Sequence, residues 1–102
     1  MERKNEISRL LHTLPVRDEV HFQPTEKVKL SYPCILYEFD GYRDFFASDG
    51  RHIVREKYTV THIYKDPTQN LRGTIRSLFS YVDFDRVFIA DNLYHDVYTI
   101  FM

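Results

Sequence analysis

Apolar and polar positions alternate along residues 52–66, so that Val54, Tyr58, Val60, His62 and Tyr64 share one face of an extended chain while Lys57, Thr59, Thr61 and Lys65 share the other. The alternation predicts a strand with one buried side. Ile53 and Ile63 interrupt the polar face at its two ends, which predicts that a partner or a second layer touches that side as well. Residues 34–39, Cys-Ile-Leu-Tyr-Glu-Phe, are just as rich in β-branched and aromatic side chains and predict a second strand. Between the two lie residues 40–51, with Gly41, Tyr42, Arg43, Phe45, Phe46 and Gly50 among them. The segment is too long for a tight turn and reads as a polar, aromatic loop, of the kind that is either functional or disordered.

The other periodicities place the remaining elements around this pair. Ile7, Leu10, Leu11 and Leu14 fall at i, i+3, i+4 and i+7 and predict a helix over residues 2–14. Pro15 ends it, because the residue before a proline is pushed out of the helical region. Residues 19–22 alternate and predict a short strand closed by Pro24. Lys27, Val28, Lys29 and Leu30 alternate too, but between Pro24 and Pro33 they read as a sheet edge or a connector. Asp66, Pro67 and Gln69 supply an acidic N-cap, a proline at the first helical position and a capping-box glutamine, so a helix is expected to start there. Leu71, Ile75, Leu78 and Phe79 form its apolar stripe, whereas Arg72 and Arg76 read as a solvated face.

Residues 84–90 and 95–102 are strand-like, joined by Asp91, Asn92, Leu93 and Tyr94 as a hairpin connection. The last strand stays apolar to its end, with Tyr98, Ile100 and Met102 on one face and Val97, Thr99 and Phe101 on the other. Since chain termini are usually polar and frayed, this one is expected to be paired and covered. The order α-β-β-β-α-β-β predicts a single α+β domain over residues 1–102, a mainly antiparallel sheet with two helices packed against it.

Composition narrows the function classes. The chain has 102 residues, enough for one modest core, and its 14 Lys and Arg nearly balance 15 Asp and Glu for a net charge of -1. That balance argues against a protein built to grip phosphate backbones. The single cysteine, Cys34, cannot form an internal disulfide and, following Pro33 at the start of a strand, reads as a small buried hydrophobe in a reducing compartment. No signal peptide is apparent, and no apolar run approaches the ~20 residues of a membrane helix, so a soluble protein made in the cytoplasm and without membrane partners is expected.

Candidate chemistry is sparse. No two of His12, His21, His52, His62 and His95 stand at a metal-site spacing with a cysteine or carboxylate partner. His62, on the apolar face, is expected to be a core histidine with a satisfied ring. His95 and Asp96 look like half a triad, but neighbours on a strand point to opposite faces and do not pair. Asp40, Asp44, Asp49, Asp83, Asp85, Asp91 and Asp96 stand mostly where turns and edges favour short polar side chains. Phosphate loops and dinucleotide fingerprints are absent, and 3 glycines leave little for a catalytic cradle. The expectation is a non-enzyme with no catalytic, cofactor-binding or metal residues.

Aromatics are the excess: 8 Tyr and 8 Phe without a Trp. Rings in predicted loops suit protein interfaces, where they supply contact area at low entropic cost. Tyr42, Arg43, Phe45 and Phe46 in the central segment, with Asn92, Leu93 and Tyr94 in the last connection, are the expected interface residues.

The segments Phe22-Gln-Pro24, Tyr32-Pro-Cys-Ile-Leu-Tyr-Glu38, Tyr58-Thr-Val-Thr-His-Ile-Tyr-Lys-Asp-Pro67 and Phe84-Asp-Arg-Val-Phe-Ile-Ala-Asp-Asn-Leu-Tyr-His-Asp-Val-Tyr-Thr99 resemble, in order, the small tail-completion proteins of long-tailed (siphovirus) phages, of the tail terminator or head-to-tail joining type. The likeness departs at His62, where that family carries an aliphatic residue, and in the variable central segment. The resemblance implies a structural virion protein, made in the bacterial cytoplasm, that forms a ring of copies of itself, a hexamer, at the head-proximal end of the tail. Its partners would be the tail tube protein and a head-neck connector protein, and DNA would pass through without specific binding, which a near-zero net charge suits. Two other classes stay open: a small metal-dependent nuclease or nucleotide-processing enzyme, which needs a carboxylate cluster, and a phage inhibitor that binds a host protein through the same aromatic segment.

Overall fold

The fold is described here from a computed structural model covering residues 2–16, 19–23 and 30–102. It runs through a helix Lys4–Leu11 (α1), strands Val20–Phe22 (β1), Cys34–Phe46 (β2) and His52–Tyr64 (β3), a 3-10 turn Pro67–Gln69, a helix Arg72–Leu78 (α2), and strands Val82–Ala90 (β4) and Leu93–Phe101 (β5). The α+β class and the element order are those read from the sequence. The five strands form one sheet in the order β1-β2-β3-β5-β4. It is mixed, because β1 runs parallel to β2 while the other three pairings are antiparallel. The predicted edge or connector at Lys27, Val28 and Lys29, with the strand-closing Pro24, lies outside the described residues.

Both helices lie on one face of the sheet. Ile7 and Leu11 of α1, Leu14 and Val16 after it, and Ile75 and Phe79 from α2 and its end pack on Ile35, Tyr37, Tyr58, Val60, Tyr98 and Ile100. The strand residues in this core are cross-strand neighbours: Tyr37 faces Val60, Val60 faces Tyr98, and Tyr58 faces Ile100. Each buried aliphatic or aromatic side chain here is worth about 1.5–3 kcal/mol. A small second cluster, Cys34, Ile63 and Leu93, sits on the opposite face at one end of the sheet; its members are neighbours within the sheet, with Leu30 packed against them, and not a partner or a second layer.

Several boundaries differ from the sequence reading, β4 and β5 each starting two residues early, at Val82 and Leu93. Helix α1 stops at Leu11, and 3-10 type bonds from Thr13 N–H to Leu10 O (3.1 Å) and from Leu14 N–H to Leu11 O (3.1 Å) carry the chain to Pro15. Leu14 still reaches the core. The Asp66 cap and the Gln69 capping box form as predicted, but they close a single 3-10 turn, and α2 starts afresh with Leu71 as its N-cap. The largest difference is the central segment. Strand β2 does not end at Phe39 but continues to Phe46, and only residues 47–51 form a loop. Asp40-Gly41 looks like a turn in sequence; in the fold it is a β-bulge, with the register against β3 shifting between Phe39 and Tyr42 and Gly41 at φ 102°. Glycine takes that conformation without cost, so the extra residue bends the strand without reversing it.

Candidate interaction surface

Because β2 and β3 are both 13 residues long and the helix layer covers only part of them, residues 42–54 project as a two-stranded arm. The molecule is correspondingly elongated, 48 × 26 × 23 Å. Past the bulge, Tyr42 and Phe46 lie on the helix side of the arm, paired with Glu56 and His52, but no helix reaches them. Tyr42 is 62% exposed and Phe46 75%. Phe46 stacks on His52 at 4.7 Å, and His52 Nε2 in turn meets Asp44 Oδ1 at 3.0 Å. Val54, predicted on the buried face, is exposed, as is Ile53, because the arm has outrun its cover.

The other side of the arm is different. Phe45 packs edge-on against Phe101 at 5.7 Å and lies 6.4 Å from Tyr81. Arg43 and Arg55 face each other across the strands, a like-charge pair that is unfavourable by itself. Aromatic faces offset it. The Arg43 guanidinium lies over Phe45 (5.3 Å) and Phe101 (5.1 Å), and that of Arg55 over Tyr81 (4.2 Å). Phe45 is thus an anchor that holds the arm to the end of β5, and of the predicted arm residues only Tyr42, Arg43 and Phe46 are exposed.

The second predicted group lies at the far end of the sheet. Asp91 (φ 53°) and Asn92 (φ 63°) form a two-residue turn, which makes Leu93 and Tyr94 the start of β5 and not part of the connection. Asn92 is exposed, Leu93 is buried with Cys34 and Ile63, and Tyr94 is half-buried and stacked on Tyr64 at 5.4 Å. From Val54 to Tyr64, which pairs with Tyr94, β3 spans about 33 Å. The seven predicted residues therefore make two separate places at opposite ends of the molecule.

A third surface was missed. Strand β4 is an outer edge of the sheet, and Phe84, Val87, Phe88 and Ile89 are all exposed along it, on both faces. Among the described residues no strand pairs with its outer side. The sequence signal was a strand apolar on both faces and free of proline; what hid it was the strand order, since β5 inserts between β3 and β4.

Two buried polar groups, Asp96 and His62, lie on the helix side of the sheet. Asp96, fully buried, receives two hydrogen bonds from Arg72 (Nε to Oδ2, 3.0 Å; Nη2 to Oδ1, 3.1 Å) and one from the Tyr64 hydroxyl (2.9 Å). The readings of Arg72 as a solvated residue and of Asp96 as a turn or edge residue are thereby corrected. His95 points to the other face, as strand alternation requires, and stacks on Phe88 at 4.5 Å. His62 is buried as predicted, but its ring is not satisfied: neither nitrogen has a hydrogen-bond partner among the described residues. Burial lowers its pKa to about 4, against a weaker upward pull from Asp96. Burial likewise pushes the Cys34 thiol up to about 11, so it is not a poised nucleophile.

Among the described residues no group of three or more His, Cys, Asp or Glu side chains is placed to hold a metal ion, and no helix is long and apolar enough to cross a membrane. What the geometry offers is surface for association: an aromatic arm at one end, a polar turn at the other and an open strand along one side. No protein-family model, curated protein or solved structure matches the chain.

Proposed function

We propose that this chain is a structural protein that assembles into a ring at the head-proximal end of a phage tail, terminating the tail tube and joining it to the neck. The observation that carries the reading is the projecting arm with Tyr42, Phe46, Ile53 and Val54 exposed beyond the helix layer. An isolated two-stranded arm is marginal in water, and exposed rings on it are costly unless another surface covers them. A ring is built from heterologous contacts, in which one patch of each subunit meets a different patch of the next until the circle closes. An arm at one end of an elongated subunit, with other surfaces left for the neighbour, suits that arrangement. The resemblance of the strand segments to tail-completion proteins supplies the biological setting, with tail tube and head-neck connector proteins as partners.

Light scattering and negative-stain electron microscopy of the purified chain, alone and with a tail tube protein, test the proposal. Closed rings, formed alone or on the tube, are expected. A strict monomer at high concentration that also fails to bind the tube protein would rule it out.

A further inference from the structure

The outer edge of β4 is nine residues long, Val82–Ala90, and seven of them, from Asp83 to Ile89, are exposed. Proteins usually blunt such an edge with proline, lysine or a covering segment. This one has a bulge and the charges of Asp83, Asp85 and Arg86, but no proline, no lysine and no covering segment among the described residues, and it carries Phe84, Val87, Phe88 and Ile89. The faces are fixed by pairing with β5. Val82, Phe84, Val87 and Ile89 lie opposite Ile100, Tyr98, Asp96 and Tyr94 on the helix side, whereas Asp83, Arg86 and Phe88 lie opposite Thr99, Val97 and His95 on the other. The register shift between Phe84 and Arg86 leaves Asp85 as the bulged residue at the centre.

We infer that β4 pairs antiparallel with β4 of a second copy of this chain, about a two-fold axis passing between Asp85 and Arg86 perpendicular to the sheet. That axis keeps both helix layers on the same side. It sets Asp85 opposite Arg86 of the second copy and Arg86 opposite its Asp85, two symmetric ion pairs at the centre. Outward from them, Phe84 meets Val87 and Val82 meets Ile89, all four on the helix side, and Asp83 meets Phe88 on the other side. A shift of one residue sets Phe84 against Phe88, which point to opposite faces, and breaks the match. The edge is thus self-complementary in charge, in face and in apolar contact. Both charged side chains are exposed, and Asp85 already accepts a hydrogen bond from Thr99 that holds it in place. This contact uses the side of the sheet and not the arm, so it stands or falls separately from the ring.

The test uses the full chain carrying Tyr42→Ser, Phe46→Ser, Ile53→Ser and Val54→Ser, which removes the exposed apolar side chains of the arm. Sedimentation velocity across a concentration series is expected to show a monomer-dimer equilibrium. Asp85→Arg and Arg86→Asp should each weaken dimerisation about tenfold or more by setting like charges opposite each other, and the double exchange should restore it. Because Asp85→Arg also removes the bond from Thr99, a second variant gives an independent reading. Phe84→Cys with Val87→Cys should oxidise to a single covalent dimer, while within one chain the two positions are about 10 Å apart along the strand, too far for a disulfide. A strict monomer, single variants that dimerise as well as the parent, or a cysteine pair that gives no dimer or a ladder of higher species would each overturn the inference.

Discussion

Arg72 clamps Asp96 through both carboxylate oxygens, at 3.0 and 3.1 Å, and so ties the first turn of α2 to the middle of β5. The Tyr64 hydroxyl completes the group by donating to Asp96 and accepting from Arg72 Nη2 at 3.2 Å. The Asp96 side chain is 0% exposed and that of Arg72 40%, so the pair is a buried anion held by a cation at the surface.

Removing the cation leaves the anion buried without its counter-charge. Arg72→Met should cost toward the lower end of the ~3–5 kcal/mol typical of a broken buried pair, because water can reach the vacated side. Arg72→Lys should recover only part of this, since lysine cannot bond both oxygens at once. The double variant Arg72→Met with Asp96→Asn should lose less than the sum of the two single changes. Urea denaturation of the four proteins measures the coupling.

His62 gives the fold a pH dependence whose sign follows from its burial. Its pKa is lowered to about 4 from 6.5. The folded state therefore refuses a proton that the unfolded chain accepts. Stability from this group is complete above pH 6.5, declines as pH falls through the window down to about 4, and levels off below it. A shift of this size corresponds to about 3 kcal/mol across the window. His62→Val should flatten that part of the profile and, by removing two unbonded ring nitrogens from the core, raise stability at neutral pH by about 1–3 kcal/mol. Chemical denaturation from pH 4 to 8 distinguishes the two proteins; parallel profiles would mean that the ring is hydrated or hydrogen-bonded in solution.

The arm supplies a sharper test than its composition did. Phe45 and Phe46 are adjacent in sequence and look alike there, yet one packs on Phe101 and the other is 75% exposed. Phe46→Ser should leave the melting temperature nearly unchanged and weaken assembly. Phe45→Ser should cost about 1–3 kcal/mol because it frees the arm from the end of β5. Equal effects of the two changes on melting would show that the arm does not sit on Tyr81 and Phe101.

Local signals carried most of the fold. The alternation of Tyr58, Val60, His62 and Tyr64, the stripe of Ile7, Leu10 and Leu11, and the Asp66 capping box all depend on neighbours within a few residues, and all of them form. What could not be read depends on long-range placement. Nothing near Gly41 says whether it reverses the chain or only bulges it, because the answer lies in whether β3 has residues left to pair with. Nothing near Arg72 announces Asp96, which is 24 residues away. The outermost position of β4 follows from β5 slipping in beside β3, a property of the whole sheet. Exposure of the rings is decided by placement too: Tyr42 and Phe46 lie beyond the helix layer, whereas Phe45, on the other face, packs on Phe101.

Residues 100–102 are expected to carry a large share of the stability. Glu56 ties residues 2 and 3 to Met102. Its carboxylate accepts the backbone N–H of Glu2 at 2.7 Å and of Arg3 at 3.2 Å, and its backbone exchanges two hydrogen bonds with Met102, at 3.1 and 2.8 Å. Burial pulls the Glu56 carboxyl upward, but the bonds from Tyr58, Arg3 and Glu2 outweigh it and hold the pKa below its ordinary value. Ile100 is fully buried and Phe101 nearly so. Deleting residues 100–102 removes two large core side chains, the Met102 pairing and the ring on which Phe45 and Arg43 rest. At about 1.5–3 kcal/mol for each buried side chain, that is a large share of the stability of so small a domain. The truncated chain should lose its cooperative melting transition. Glu56→Gln should be milder, because its one carbonyl oxygen can still accept the two backbone N–H groups while the charge and the acceptor for the Tyr58 hydroxyl are lost; its effect should fade as pH falls and the native carboxyl is itself protonated. Circular dichroism melts of the two variants decide the matter, and a truncated chain that melts like the parent would show residues 100–102 to be dispensable.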